Sequence, residues 1–320
     1  MENIINNYNP TIINYNNSDN NSDIHDNILN NYPIFIINLK DNHERRDYIN
    51  YLMQRMKINY NLVVVDKIDC DIYDKIGREN IKIDKNKLGC IISHLFCIKL
   101  CIDSNYKKFI IFEDDIIFHK RFNELCTFDL LNEDFDMLML GACDFNLNHN
   151  KQLVHKQFNN LFIYKPNTQT LGSHANIYSI SFAKVLYEYK IKGPFFEFDG
   201  DFIKFYQKYK IYVCMPNLVV CELTTSNLNH NFGYNSIHYS RQIKKIFPED
   251  FTYEEYKYIT IDFINYIKNN YDSECNYTLN QIVNNYVKVF NISETMKTSL
   301  SDNLIYSGYS IEDIKNMYHK

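Results

Sequence analysis

An α/β fold organised on a sheet buried on both faces is what this 320-residue sequence predicts. Phe109 to Phe112 is continuously apolar rather than alternating, the pattern of a strand covered on both sides, as in mostly parallel sheets. Strand-like and helix-like segments alternate as β-α-β-α-β over about 85 residues from Pro33, the order that right-handed parallel crossovers produce. A hydrophobic content of 45% is enough to fill such a core.

The elements follow in order. Residues 1–32 are rich in Asn, with too little apolar matter to offset the entropy of ordering, so they are expected to form a disordered arm. Pro33 opens PIFIINL, a buried strand. Asp41, with Glu44 three residues on, matches a capping box for a helix through about Ile58, whose buried stripe is Ile49, Leu52, Met53 and Met56. A second strand at Leu62 to Val65 precedes a polar connection. Leu88 to Asp103 reads as a helix apolar nearly all round, and Phe109 begins the third strand. Asp136 to Leu140, Asn176 to Ile180, Tyr212 to Met215 and Leu218 to Cys221 read as further strands. A helix from Phe182 to Tyr189, with Ser181 as N-cap, lies between the second and third of these.

From about Pro248 the character changes to helical patterns at Tyr253 to Asn269, Leu279 to Phe290 and Ile311 to Tyr318. A boundary near residue 245 therefore divides a main domain, 33–245, from a helical extension, 246–320. Tyr256, Ile259, Phe263 and Ile267 recur at helical spacing, as do Ile282, Val283, Tyr286 and Val289. Each stripe needs a partner, either the flank of the main domain or a second copy of the chain in a homodimer.

Composition excludes several classes. A net charge of -5 and a pI near 6.1 leave no electrostatic footprint for nucleic acid. Neither a membrane-spanning apolar run nor a secretory signal pattern is present, so a cytoplasmic location is expected and the sequons at Asn16, Asn20, Asn276 and Asn291 are expected to go unused. Nine cysteines fall in no C-x-x-C pair, which predicts a reducing compartment and no structural zinc. The abundance of Asn, Ile, Lys and Tyr, with no Trp, reads as the codon usage of an AT-rich genome such as a giant virus.

Two acidic clusters carry the chemistry. Glu113, Asp114 and Asp115 follow the Phe109 strand, and ligands of open α/β sheets bind beyond the carboxyl ends of their strands. The bland reading is a solvated turn. Glu197, Asp199 and Asp201 alternate through FFEFDGDF, and in an extended segment they would share one face. The bland reading there is an exposed acidic edge. Like charges so close call for a cation, a base role or full solvation. Carboxylate oxygens suit Mg2+ or Mn2+, ions usually shared with substrate phosphates, which points to a nucleotide diphosphate ligand. No P-loop or G-x-G-x-x-G fingerprint supplies an alternative phosphate cradle. His94, on the apolar helix, is by default a core histidine satisfied by a backbone carbonyl. Arg45 and Arg46, mildly unfavourable near a helix N-terminus, hint at an anionic ligand.

Six segments in order resemble glycosyltransferase family 25, which includes lipopolysaccharide and collagen galactosyltransferases. They are INLKDNHERRDYI (Ile37 to Ile49), VDKIDCD (Val65 to Asp71), LGCIISHLFCI (Leu88 to Ile98), IIFEDDIIF (Ile110 to Phe118), HANIYSISFAKVL (His174 to Leu186) and FEFDGDF (Phe196 to Phe202). The likeness covers roughly residues 33–230. Lys87 stands where the family often has an acidic residue, and the Trp common after its SH motif is absent.

The resemblance implies a GT-A type, Rossmann-like, mostly parallel sheet with flanking helices, here with a C-terminal helical appendage. It implies inverting transfer of a hexose, galactose or glucose, from a UDP-sugar to a saccharide or to a hydroxylysine-type hydroxyl on a glycosylatable protein. Mn2+ (or Mg2+) would be held by Asp115 with Asp114 and Glu113, and Asn38, Arg45, His94, Glu113 and Asp114 would line the nucleotide site. Asp199 or Asp201 would be the base that takes the acceptor proton, Asp199 being preferred. Two other readings stay open: a metal-dependent phosphodiesterase or nuclease, which would also want two carboxylate clusters, and a nucleotide-sugar-binding homologue without turnover.

Overall fold

The computed structural model describes residues 1–16, 27–68, 84–104, 106–119, 121–143, 154–158, 161–166, 170–193, 197–221, 266–267, 269–271 and 278–290. A short helix α1 (Glu2–Asn7) and strand β1 (Thr11–Tyr15) come first. Strand β2 (Ile34–Leu39), helix α2 (His43–Met56) and strand β3 (Tyr60–Val65) follow. Asn42, not Asp41, caps α2: its Oδ1 accepts from Arg45 N at 3.3 Å. Helix α3 (Lys85–Asp103) begins earlier than Leu88 because Asp84 caps it, accepting from Lys87 N at 2.9 Å.

Strand β4 (Lys108–Glu113) ends in a turn at Asp114 and Asp115, and β5 (Ile116–Phe118) leaves for a second sheet. Two single-turn helices, α4 (Phe122–Leu125) and α5 (Phe128–Leu131), lead to β6 (Met137–Met139), β7 (Val154–Phe158), β8 (Leu161–Tyr164) and β9 (Ala175–Ser179). Helix α6 (Ile180–Lys192) is capped by Ser179 rather than Ser181; the Ser179 Oγ accepts from Phe182 N at 3.2 Å. Strands β10 (Ile211–Met215) and β11 (Val219–Cys221) and helix α7 (Leu279–Phe290) complete the order.

Nine strands form one sheet in the order β1-β3-β2-β4-β9-β6-β10-β8-β7, and β11 pairs with β5 in a two-stranded sheet. The expectation of a mostly parallel sheet is corrected. The β2–β3, β2–β4 and β6–β10 pairings are parallel, whereas β1–β3, β4–β9, β6–β9, β8–β10 and β7–β8 are antiparallel. The parallel core that the β-α-β order predicts is present, but β9 runs against both of its neighbours.

Alternation along β4 shows why its apolar run is unbroken. Phe109 and Ile111 join one core with Ile91, Leu95 and Ile98 of α3 and Phe182 and Leu186 of α6. Ile110 and Phe112 join the other with Ile49 and Met53 of α2, Phe122 of α4 and Phe118 of β5. Each face of the central sheet is therefore dry, and every second side chain serves a different layer.

The arm expected to be disordered is built into the fold over residues 1–16 and 27–32. Strand β1 pairs with β3 from Thr11↔Val64 to Tyr15↔Tyr60, and Tyr15 stacks on Tyr60 with ring centroids 4.8 Å apart. Ile5 is buried against α3, and Leu29 is buried in the opposite core. Each such burial contributes about 1.5–3 kcal/mol, which offsets an entropy cost that an average over an Asn-rich stretch makes look prohibitive.

The proposed boundary at 245 and most of the first C-terminal stripe (Tyr256, Ile259, Phe263) lie outside the described residues. On α7, Ile282, Val283 and Tyr286 are buried together with Ile267 and Tyr271, and Tyr286 meets the Tyr266 ring at 5.2 Å. Val289, expected in the same stripe, is 64% exposed. Among the described residues no helix is long and apolar enough to cross a membrane.

Candidate active site

The carboxyl ends of β2 and β4 meet at the turn after Glu113. Asp114 and Asp115 are buried there, not solvated. Arg45, in the first turn of α2 and 4% exposed, donates through Nη1 to Asp114 Oδ1 at 2.8 Å and Asp115 Oδ2 at 3.2 Å. The anion implied by an arginine in that position is thus the protein's own acidic turn. Asn38, near the end of β2, donates to Asp114 Oδ2 at 2.7 Å and is itself fixed by Arg46 Nε on its Oδ1 at 2.9 Å. Arg46 also donates to the Lys40 carbonyl at 2.7 Å.

Glu113 faces a different set of partners. His94 Nε2 lies 3.1 Å from Glu113 Oε1, and Ser173 Oγ donates to the same oxygen at 2.6 Å. Burial works to raise the Glu113 pKa, but the His94 hydrogen bond and charge, with Ser173, hold it well below the usual carboxylate range. The default reading of His94 as a core histidine satisfied by a backbone carbonyl is corrected. Its ring is fully buried and stacks on Phe198 at 4.4 Å, yet its partner is a site carboxylate.

Asp115 differs from its two neighbours. Its Oδ1 is buried and meets no hydrogen-bond partner among the described residues. Burial pushes its pKa well above the usual range; Arg45 opposes this, and the charges of Glu113 and Asp114 add to it. A buried, crowded carboxylate with one unsatisfied oxygen is a position that a hard divalent cation fits. Asp114 is less suited, since both of its oxygens already accept hydrogen bonds.

The second acidic motif is not the extended ladder that its alternation implies. Asp199 stands at the start of a 3-10 turn, Gly200–Lys204, without a side-chain capping bond, so the segment is not extended and its three acids do not alternate along one face. Glu197 is exposed and pairs with Lys87, the basic residue at the position where an acid is common in the resembled family. Asp201 is 1% exposed, with Oδ2 accepting from the buried Lys190 Nζ at 2.6 Å and Oδ1 from Lys204 Nζ at 2.8 Å. Such a carboxylate is committed to holding the turn. Asp199 is half-buried. Burial, with the charges of Cys143, Glu197 and Glu113, pushes its pKa up to about 7. It lies within electrostatic range of Glu113, so the fold brings the two acidic motifs into one neighbourhood.

Sequence reasoning missed Ser173 and a group of soft ligands behind the turn. Cys143, His174 and Cys221 present Sγ, Nδ1 or Nε2, and Sγ atoms within 4.8 Å of one another. Cys90, His94 and Glu113 form a second such group. Separations of 31 residues between Cys143 and His174 and 78 between Cys143 and Cys221 leave no local spacing to recognise. A cavity of about 700 Å³ lies elsewhere, between α1 and residues Asp66–Ile68 that follow β3.

Against known proteins, the family described as "Glycosyltransferase family 25 (LPS biosynthesis protein)" matches residues 31–190, from the strand β2 region through α6. A Haemophilus influenzae protein named provisionally as a glycosyltransferase is 28% identical over 108 residues. The match takes in 31% of this chain and 38% of that protein, so the chain spans well under two thirds of the relative's length.

Proposed function

The chain belongs to glycosyltransferase family 25, and from that premise we propose that it moves a hexose, galactose or glucose, from a UDP-sugar to a hydroxyl acceptor with inversion at the anomeric carbon. The family description favours a saccharide acceptor over a hydroxylysine-type one. A GT-A type architecture agrees with the parallel β3-β2-β4 core and the acidic turn at its carboxyl edge.

The observation that carries the reading is the division of labour between two carboxylates. Asp115 keeps one buried oxygen without a partner, and Asp199, raised to about 7, is poised to exchange a proton near neutral pH. Asp115 Oδ1 would hold Mn2+ or Mg2+, with Glu113 beside it. A divalent cation held by these carboxylates would supply positive charge against the leaving diphosphate. Arg45 and Asn38 orient Asp114 and Asp115, so their role is positioning more than direct nucleotide contact. His94 and Ser173 fix Glu113. Asp199 takes the proton from the attacking hydroxyl, and Asp201 anchors its turn through Lys190. Asp201 is therefore set aside as the base.

The proposal places the enzyme in the cytoplasm. The C-terminal helices would support the acceptor side or pair two copies as a homodimer. UDP release from a panel of UDP-hexoses, with and without Mn2+ and oligosaccharide acceptors, tests the reading. Cation-dependent release that accelerates with acceptor is expected. Phosphodiester cleavage without sugar transfer, or tight UDP-sugar binding without release, would replace it.

A further inference from the structure

Behind the acidic turn, three chain segments converge on one point. Cys143 follows β6, His174 immediately precedes β9 and Cys221 closes β11. Cys143 Sγ lies 3.4 Å from Cys221 Sγ and 3.6 Å from His174 Nδ1. From these atoms we propose a second metal centre, distinct from the carboxylate site, in which Cys143, His174 and Cys221 bind a soft divalent cation of the zinc type.

The ligand chemistry selects that cation. Two thiolates and an imidazole favour zinc over the hard ions that suit Asp115. With zinc-sulfur bonds of about 2.3 Å and zinc-nitrogen bonds of about 2.0–2.1 Å in a tetrahedron, sulfur and nitrogen ligands sit about 3.6 Å apart and two sulfurs about 3.8 Å. The observed 3.6 Å and 3.4 Å ask only for a slight spreading of the thiols. Binding needs two thiolates and a neutral imidazole, so the protons that these three groups still carry are released to solvent.

The surroundings are arranged as a ligand histidine requires. His174 Nε2 is 3.3 Å from the Val219 carbonyl, a partner that can hold the ring N–H and so leave Nδ1, which faces Cys143, to ligate. The backbone around the cluster is close-packed. Gly172 approaches Cys143 N with φ +145, and a Cβ on Gly141 would sit 1.8 Å from the Val219 oxygen. Cys143 is half-buried, and a zinc-type ion with three protein ligands would take its fourth from water or substrate.

The consequence for the neighbouring site is mechanical. His174 O accepts from Glu113 N at 2.9 Å, and the adjacent Ser173 donates to the Glu113 carboxylate. A cation tying His174 to the ends of β6 and β11 would hold Glu113 in place without taking part in transfer. The cluster stands on its own geometry and does not depend on the transferase reading.

The test uses the full chain, reduced and freed of metal by chelation, then titrated with Co2+ as a spectroscopic stand-in for Zn2+. One equivalent should produce near-ultraviolet sulfur-to-cobalt charge-transfer absorption, which the oxygen ligands of Asp114 and Asp115 cannot give, and Zn2+ should displace it. Cys143→Ser and Cys221→Ser should each weaken Co2+ binding by more than about 100-fold, while Cys90→Ser leaves the band in place. If the variants fail to fold, mass spectrometry of the unsubstituted protein should show Zn2+ shielding Cys143 and Cys221 from iodoacetamide. Absence of the band in that protein, a band that survives both substitutions, or equal alkylation with and without Zn2+ would overturn the proposal. Oxidised glutathione joining the two sulfurs in a protein that takes up no Co2+ would assign the pair to a disulfide instead.

Discussion

Replacing Asp201 with asparagine separates a structural carboxylate from a catalytic one. The carboxylate accepts from Lys190 at 2.6 Å with both side chains essentially unexposed, and from the half-exposed Lys204 at 2.8 Å. The amide would strip the Lys190 ammonium of this buried counter-charge, while its contact with the neutral Glu197 carbonyl at 3.2 Å stays. Breaking a buried pair from one side costs about 3–5 kcal/mol, a large part of the 5–15 kcal/mol that holds a typical domain together. The loss from Lys204 is small because that ammonium is largely solvated. Urea unfolding should therefore show a lower midpoint for Asp201→Asn with an unchanged slope. Adding Lys190→Met, which removes the stranded charge, should recover most of the loss in a double-mutant cycle. Burial already lowers the Lys190 pKa from 10.5, and without Asp201 it falls further. A lysine whose folded pKa lies below its unfolded one gains stability as pH rises from the folded value toward 10.5, so the deficit should shrink in alkali. A variant of normal stability that transfers sugar about 100-fold more slowly would refute the structural assignment and return Asp201 to the role of base.

Four further outcomes are expected. Asp115→Asn should cut cation-dependent transfer by about 100-fold or more, with little change in unfolding midpoint; full turnover would move the cation site elsewhere. Asp199→Asn should lower transfer by about 100-fold to 10,000-fold with UDP affinity intact, and in the unsubstituted enzyme the rate should rise with pH up to about 7 and then level, because only the ionised carboxylate accepts a proton. A pH profile flat from about 5 to 8 would contradict this. Deleting residues 1–16 removes Ile5 and the β1 edge, and calorimetry should register a loss of at least about 1.5–3 kcal/mol; an unchanged melting curve would show the arm to be dispensable. Gly141→Ala forces a methyl against the Val219 backbone and should destabilise by about 1–3 kcal/mol or more, as measured by urea unfolding.

The sequence disclosed the fold where local pattern and tertiary burial agree. FIIF in β4 reads as doubly covered because both faces are covered, and the apolar α3 reads as buried because it lies against the sheet. It misled where composition was averaged or spacing was ambiguous. TIINY at Thr11–Tyr15 is a five-residue strand inside a polar stretch, and a window long enough to judge disorder dilutes it. An i, i+2, i+4 series of acids is compatible with a strand, but Gly200 and the Lys190–Asp201 pair close the segment into a turn. The acidic turn itself was legible, whereas its wiring to Arg45, His94 and Ser173 depends on contacts across 69, 19 and 60 residues that no local period encodes.

Reversal of one strand decides what can be reached from the acidic turn. In a wholly parallel sheet only segments leaving a strand gather at the carboxyl edge, and each must spend a crossover before the chain can return. Because β9 points the other way, a segment arriving at the sheet is delivered to that edge, carrying Ser173 and His174 to Glu113. Departing and arriving chain thus both contribute to one site. The side chains at 173 and 174 can therefore be exchanged while the hydrogen-bonded register of β4, β9 and β6 stays fixed, so the surroundings of Glu113 can be retuned from a segment that leaves Asp114 and Asp115 untouched.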